Sequence, residues 1–325
     1  MTNAIEFKNV QKAFGENTVI SGMDMNIQQG ERFVLVGSSG SGKTTSLKMI
    51  NRLELPTGGE VLVNGKPAKE YPLQELRWMM GYVLQQIALF PNMTVTQNIT
   101  LIPEMKGTPK SQLQEMADSL LEQVGLDPVK YRGRYPRELS GGEQQRIGIL
   151  RAISSDPPIV LMDEPFSALD PISRASLQDL VLDLHQKLNN TIVFVTHDMD
   201  EALKIGDRIG IMSEGQLLQA ASPQEIAQHP VNDFVRDFFR DSVSKNIYDM
   251  PVTKILFADE AIQELPNDAS EDVATLSEDA VLRDLFKVLS TKNYVKITDH
   301  TGHKKGYLNR QRVLNYLSQN EDQGE

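Results

Sequence analysis

Residues 32–50 read Arg32-Phe33-Val34-Leu35-Val36-Gly37-Ser38-Ser39-Gly40-Ser41-Gly42-Lys43-Thr44-Thr45-Ser46-Leu47-Lys48-Met49-Ile50. The apolar run from Phe33 to Val36 predicts a buried strand, and Thr45 to Ile50 predicts a helix. Between them, Gly37 to Thr44 fits G-x-x-x-x-G-K-[ST]. Glycines let backbone N–H groups turn inward around phosphate oxygens, and the following helix adds its positive N-terminal end. In this arrangement Gly37, Ser38, Ser39, Gly40, Ser41, Gly42, Lys43, Thr44 and Thr45 surround the phosphates. Lys43 reaches the β- and γ-phosphates, and the Thr44 hydroxyl ligates Mg²⁺. A plain Ser/Gly turn would not need a strand before it and a helix after it.

A second apolar run, Ile159-Val160-Leu161-Met162, ends in Asp163-Glu164. Alone, such a run is most simply a strand end meeting solvent. Paired with the phosphate loop, it delivers Asp163 to hold Mg²⁺ through water and Glu164 as a general base for an attacking water. Ile192-Val193-Phe194-Val195 predicts a further buried strand. Between the two, Leu177, Leu180, Val181 and Leu184 give the stretch Ser173 to Leu188 a helical spacing. Strand, helix and strand in this order imply a parallel α/β sheet. Residues 1–30 alternate in short segments with Gly15, Gly22 and Gly30 between them, which predicts strands joined by turns. Residues 70–150 are richer in helix formers, punctuated by Pro103, Pro109, Pro128 and Pro136.

The 325 residues allow one large domain and a smaller one. An apolar fraction of 40% and a charged fraction of 24% suit a packed globular protein. Cysteine is absent, so no disulfide framework or thiolate site is available, as in a reducing cytoplasm. Met1 to Gly15 has no signal-peptide core, and no apolar run approaches the roughly 18 residues a membrane span needs. A formal charge of −11 argues against nucleic acid as a partner.

Leu139-Ser140-Gly141-Gly142-Glu143-Gln144-Gln145-Arg146 resembles the signature motif of ABC transporter ATPases. Ser140 and the Gly141 and Gly142 amides precede a helix, so they form a second anion-binding end. In the family this end reaches across a dimer to the γ-phosphate held by the other subunit, which implies a homodimer. Smaller markers follow the same resemblance. Gln85 matches the glutamine that contacts Mg²⁺ and links to the membrane subunit. His197 matches the switch histidine of the γ-phosphate. Asp170, in Ser167-Ala168-Leu169-Asp170, matches the loop that communicates between sites, and Phe14 matches the aromatic that stacks on adenine. The resemblance covers residues 4–240 with every motif in order. It implies an α/β fold of the ABC type of P-loop NTPase, with a mixed sheet core and antiparallel β and helical subdomains, binding ATP and Mg²⁺. Lys43, Glu164 and His197 are then the catalytic residues, and Thr44, Gln85 and Asp163 the Mg²⁺ set.

Finer stretches resemble the importers of quaternary amines and related osmolytes such as glycine betaine, carnitine, choline and proline. They include Met49-Ile50-Asn51-Arg52-Leu53, Gln85-Gln86-Ile87-Ala88-Leu89-Phe90-Pro91 and Ile102-Pro103-Glu104-Met105. The alternative is a methionine or polar amino-acid importer, and a more distant one is an ABC ATPase of translation or DNA repair. The implied partners are transmembrane permease subunits and, indirectly, a solute-binding protein. The implied place is the cytoplasmic face of the membrane.

A boundary near 240–245 separates an ATPase domain, 1–240, from a tail, 245–325. Ser277 to Leu289 predicts an amphipathic helix. Val295 to Thr298 and Gly306 to Leu308 predict strands around an Asp299–Gly302 turn, and Val313, Leu314 and Leu317 mark a last helix. This order resembles a CBS motif, a small α+β regulatory module, over 271–318, with at most a degenerate copy at 245–270. Asn309 and Arg312 stand where adenosine-binding versions carry Ser/Thr and Asp. The run His300, His303, Lys304, Lys305, Arg310 and Arg312 suggests a site for an anion, either lipid headgroups or a cyclic dinucleotide. The plainer explanation of the run is a solvated charged face, and the rival reading of the whole tail is a passive dimerisation module.

Overall fold

The structure, a computed structural model, describes residues 2–244, 248, 250–256 and 272–321. It divides into two compact units: Met1–Ala168 with Leu180–Val243, and Leu169–Asp179 with Ser244–Glu325.

The first unit begins with a hairpin of β1 (Asn3–Phe14) and β2 (Asn17–Gln28), closed by Gly15 at φ 60°. Gly22, expected as a turn, lies inside β2 at a register shift between the Val10–Met23 and Gln11–Ser21 pairs, so it makes a bulge. β3 (Arg32–Gly37) follows and runs into α1 (Lys43–Ile50). Then come β4 (Gly58–Val63), β5 (Lys66–Pro67), α2 (Leu73–Trp78) and β6 (Met80–Val83). A helical stretch holds α3 (Val95–Met105), α4 (Lys110–Gln123), α5 (Pro128–Tyr131) and α6 (Gly141–Ile153). The order continues with β7 (Ile159–Asp163), α7 (Pro171–Leu188), whose residues up to Asp179 belong to the second unit, β8 (Thr191–Thr196) and α8 (Met199–Ile205). β9 (Arg208–Ser213), β10 (Gln216–Ala221), α9 (Pro223–Gln228) and α10 (Asp233–Ser244) complete it.

Two sheets organise this unit. The antiparallel sheet runs β2-β1-β4-β5, and the six-stranded sheet runs β10-β9-β3-β8-β7-β6. All neighbours in the larger sheet pair in parallel except β10 with β9. The sequence explains the placement: every residue of β7 and β8 is buried, as unbroken apolar runs require in a sheet covered on both faces. The C-terminal ends of β3, β7 and β8 therefore emerge side by side, and ligands of open α/β sheets bind at such ends.

In the second unit, α11 (Thr253–Ile255), β11 (Val273–Ser277), α12 (Leu282–Leu289), β12 (Tyr294–Thr298), β13 (Lys304–Asn309) and α13 (Arg310–Glu321) follow in order. β11 pairs in parallel with β12, and β12 antiparallel with β13. The helix expected from Ser277 starts later, because Ser277 ends a strand and its Oγ is bonded to Asp279. Val252, Leu282, Leu285, Phe286, Val295 and Leu308 form the core, together with Ile172 and Ala175 from the first turns of α7. The suggested degenerate copy at 245–270 lies largely outside the described residues.

Candidate functional site: a nucleotide-phosphate cradle

The loop between β3 and α1 is shaped by glycine where glycine is needed. A Cβ on Gly37, at φ 156°, would lie 2.1 Å from the Met212 carbonyl oxygen, so any other residue forces the backbone apart. Gly42, left-handed at φ 101°, is the N-cap of α1 and supplies no side-chain cap. No acid occupies the first turn of α1, so its N-terminal amides keep their positive end for an outside anion. Lys43 is buried and donates from Nζ to the carbonyl oxygens of Gly37 and Ser38, both at 2.8 Å. Burial pulls its pKa down, while Glu164 and Asp163 push it back up. The Ser41 hydroxyl is buried and makes no hydrogen bond. Such a group costs about 1–3 kcal/mol, which a phosphate oxygen would offset.

Asp163 ends β7 next to this loop. Its Oδ1 accepts from Thr44 Oγ1 at 2.7 Å, and its Oδ2 accepts from the Tyr82 hydroxyl at 3.4 Å. Burial raises its pKa, against the hydrogen bond from Thr44 and the charge of Lys48. A buried carboxylate lifted this way gains from a cation. One carboxylate and one hydroxyl are hard oxygen donors that leave most of an octahedron to phosphate and water, the usual Mg²⁺ arrangement. Tyr82 is pushed well above the ordinary phenol range by burial and by the Asp163 charge, so it stays a donor.

Glu164 sits just past the strand in a left-handed conformation, φ 42°, its N–H donating to Val195 O at 2.9 Å. A non-glycine residue there costs on the order of 1 kcal/mol. The turn places its carboxylate between two loops. Glu164 Oε2 accepts from Gln85 Nε2 at 3.2 Å and lies 3.1 Å from His197 Nδ1. Asp198 caps α8 through its side chain, and Thr196 Oγ1 accepts from Asp198 N and donates to Glu201, so the loop carrying His197 is pinned on both sides. The sequence-predicted Lys43, Thr44, Asp163, Glu164, Gln85 and His197 thus come together in this unit.

The other predicted residues are placed separately. Ser140 N-caps α6, accepting from Glu143 N, while Glu143 accepts from Ser140 N at 2.7 Å. Glu143 is also held by the Tyr131 hydroxyl at 2.5 Å. Ser140 and Gly141 are exposed and Gly142 is half-buried. The expected anion-binding end therefore already carries a carboxylate, which the sequence reading missed although Ser-x-x-Glu is a capping-box pattern. Phe14 ends β1 and is 48% exposed, with Lys12 Nζ over its ring, so it is no core residue. The tail's basic run is not an open cationic patch. His300 lies against Glu278 and Asp279, Lys305 against Glu278, His303 against Asp299, and Arg310 against Asp170. Hydrogen bonds from Thr301 and His303 hold the Asp299 carboxyl down to about 2.

A profile described as ABC transporter matches residues 20–167. The osmoprotectant import ATP-binding protein OsmV of Salmonella typhimurium is 39% identical over 317 residues, which cover 96% of this chain and 80% of that relative. The chain belongs to the ABC transporter ATP-binding family. That family hydrolyses ATP to power transport. The glycine betaine/carnitine/choline transport ATP-binding protein of Bacillus subtilis is 48% identical over 235 residues, 72% of this chain, and the chain covers 62% of its length. A solved dimeric ATP-binding cassette in a post-hydrolysis state, bound to ADP and Pi, is 32% identical with a TM-score of 0.61, covering 67% of this chain and 98% of that one. Tyr82, Tyr131 and Glu143 are the functional neighbours that motif reading in this ABC ATPase did not single out. Tyr82 adjoins the Gln85 motif, and only the pairing of β6 with β7 reveals that it reaches Asp163.

Proposed function

We propose that this chain binds and hydrolyses Mg·ATP to drive uptake of a quaternary amine or related osmolyte through a separate membrane permease. The convergence of Gln85 and His197 on one oxygen of Glu164, at 3.2 and 3.1 Å, supports the hydrolysis in this reading. A general base needs an oriented carboxylate beside the γ-phosphate position, and Lys43 and Asp163 mark that position. Thr44 and Asp163 would hold the Mg²⁺, which when bound neutralises phosphate charge. Phe14 offers its ring to adenine. Ser140, Gly141, Gly142 and Asp170 act across a homodimer, as the family resemblance implies.

Coupling to a membrane partner is supported by a groove of about 850 Å³ beside the Gln85 loop. Leu53, Leu73, Leu84, Phe90 and Met105 line it and are exposed, so the apolar surface there awaits a partner. Among the described residues no helix is long and apolar enough to cross a membrane. The groove supports a peripheral position against a membrane partner, and the cytoplasmic face is the part of this proposal that rests on the family resemblance. The solute class rests on the relatives' names, which favour osmolytes over the amino-acid alternative.

For the second unit, residues 271–318 are proposed as a CBS-like regulator. An anionic lipid or cyclic dinucleotide would have to displace the acids that lie against His300, His303 and Lys305.

The test reconstitutes the chain in proteoliposomes with a permease and a solute-binding protein of the osmoprotectant importer class. Glycine betaine, carnitine or choline should stimulate ATP hydrolysis. Stimulation by methionine or a polar amino acid alone would move the protein to the alternative importer class. Basal hydrolysis that no solute alters would remove the transport reading.

A further inference from the structure

Asp170 opens α7 by capping it. Its Oδ1 accepts from Ile172 N at 3.2 Å and from Ser173 N at 3.1 Å, which closes the first turn. Its other oxygen, Oδ2, accepts from Arg310 Nη2, and the same nitrogen donates to Ser173 Oγ at 2.6 Å. Arg310 is the first residue of α13 and follows β13 directly. That turn is fixed in its own right, since Asn309 Oδ1 accepts from Arg312 N at 3.0 Å. Beneath the contact, Ile172 and Ala175 are buried in one core with Val252, Ile255, Leu282, Phe286 and Leu308. The start of α7 thus belongs to the C-terminal unit in packing as well as in hydrogen bonding. Burial alone would raise the Asp170 pKa, but hydrogen bonds from Ser173 and the charge of Arg310 outweigh it and keep the carboxyl below its ordinary value.

Asp170 lies six residues after Glu164 in the chain. The intervening segment is short and begins with a turn in which Ser167 N and Oγ both donate to Glu164 O, at 3.3 and 3.1 Å. A loop this short is restrained at both ends, by Ser167 against Glu164 and by the helix cap at Asp170, so a change at Asp170 is passed along it.

We propose that Arg310 is a positioning residue for ATP hydrolysis: by holding Asp170 and Ser173 it sets the loop that follows the general base. The C-terminal unit then controls how this loop meets a second copy of the chain. The inference rests on the reading of Asp170 as a residue that communicates across a dimer. Arg310 touches no reacting atom. Its charge, brought to both the Asp170 carboxylate and Ser173 Oγ through one guanidinium nitrogen, explains why a cation, and not merely an apolar residue, stands at the start of α13.

Steady-state ATP hydrolysis by the full-length chain tests this with Arg310→Ala, Arg310→Lys, Asp170→Ala and the double Asp170→Ala/Arg310→Ala variant. Each is first checked for folding by thermal melt and gel filtration. Arg310→Ala should lower kcat about threefold to tenfold, the range for residues that transmit coupling. The Hill slope for ATP should fall toward 1, with KM little changed. Arg310→Lys should recover much of the loss, and the double variant should be no worse than Asp170→Ala. A purely structural role would lower the melting temperature and leave kcat per folded molecule and the Hill slope intact. If Arg310→Ala does not fold, Arg310→Gln, which keeps the side-chain length, is measured in its place. Wild-type kinetics in the arginine variants with an impaired Asp170→Ala would overturn the inference and leave the function standing. An unaffected Asp170→Ala would overturn both the inference and the role of Asp170 across the dimer.

Discussion

Two helices of the first unit begin at glycine-rich turns, and they treat their N-terminal amides in opposite ways. At α1 the cap is Gly42, with no side-chain bond and no acid in the first turn. At α6 the cap is Ser140, in a reciprocal box with Glu143 that Tyr131 tightens. Both ends carry the partial positive charge of a helix N-terminus. The first leaves it for a ligand of the same chain. The second already satisfies part of it with a carboxylate, and its exposed Ser140 and Gly141 face outward. One glycine-rich pattern therefore encodes two states of readiness: an open cradle and a pre-capped end that an anion reaches only by competing with Glu143.

The sharpest way to separate binding at the open end from chemistry is Glu164→Gln. Hydrolysis should fall about 10²–10⁴-fold, the usual contribution of a general base, while ATP binding measured by equilibrium dialysis persists and the dimer stays closed. Turnover at the wild-type rate would refute the base assignment. A blow to the open end itself comes next. Gly37→Ala places a Cβ against the Met212 carbonyl, so it should abolish measurable ATP binding and lower stability by about 1–3 kcal/mol, an overpacking cost, read by urea unfolding.

Smaller effects are expected at the pre-capped end. Glu143→Gln keeps a box partner but removes the charge, so stability should drop by less than about 1 kcal/mol, while the KM for ATP in the dimer falls because an arriving phosphate meets less repulsion. An unchanged or higher KM would show that Glu143 helps the second contact. The smallest effect is in pH. Burial pushes the Glu143 pKa up, but hydrogen bonds from Tyr131 and Ser140 outweigh it, leaving it below 4.5. A depressed carboxylate contributes stability that is present above its unfolded value and lost as pH falls through the folded one. Wild type should therefore lose melting temperature below about pH 4.5 more steeply than Glu143→Gln. Parallel acid limbs would show that the box adds nothing at this end.

Most of the site was legible because its chemistry is local in sequence. Gly37 to Thr44 is one loop, and Asp163-Glu164 ends one apolar run, so strand and helix signals alone place both. What brings Gln85 and His197 onto Glu164 is not local. It depends on β6 and β8 both flanking β7, and strand order across a sheet leaves no trace in the periodicity of any one strand. Tyr82 illustrates the limit: it is the one half-buried residue of a four-residue strand, and only the pairing of β6 with β7 brings it toward Asp163. In the tail, the helix starting at Leu282 was readable from Leu285, Phe286 and Leu289, whereas β11 was missed because Val273-Ala274-Thr275-Leu276-Ser277 is short and only partly buried. The basic run looked like a site because neutralising acids such as Glu278 and Asp279 lie more than 15 residues away in the chain, so charge counting along a window cannot see them.

Ile172 and Ala175 have a practical consequence for anyone cutting this protein in two. Their side chains are buried in one core with Val252, Leu282, Phe286, Leu308 and Leu317 of the tail. A chain ended near residue 244 would bare apolar surface at the head of α7, which begins seven residues after Glu164, the proposed base. Such a fragment would tend to stick to itself, and its activity would report that injury as much as any missing control. Swapping the tail between relatives faces the same obstacle, since a donor tail must bring its own socket for these two side chains.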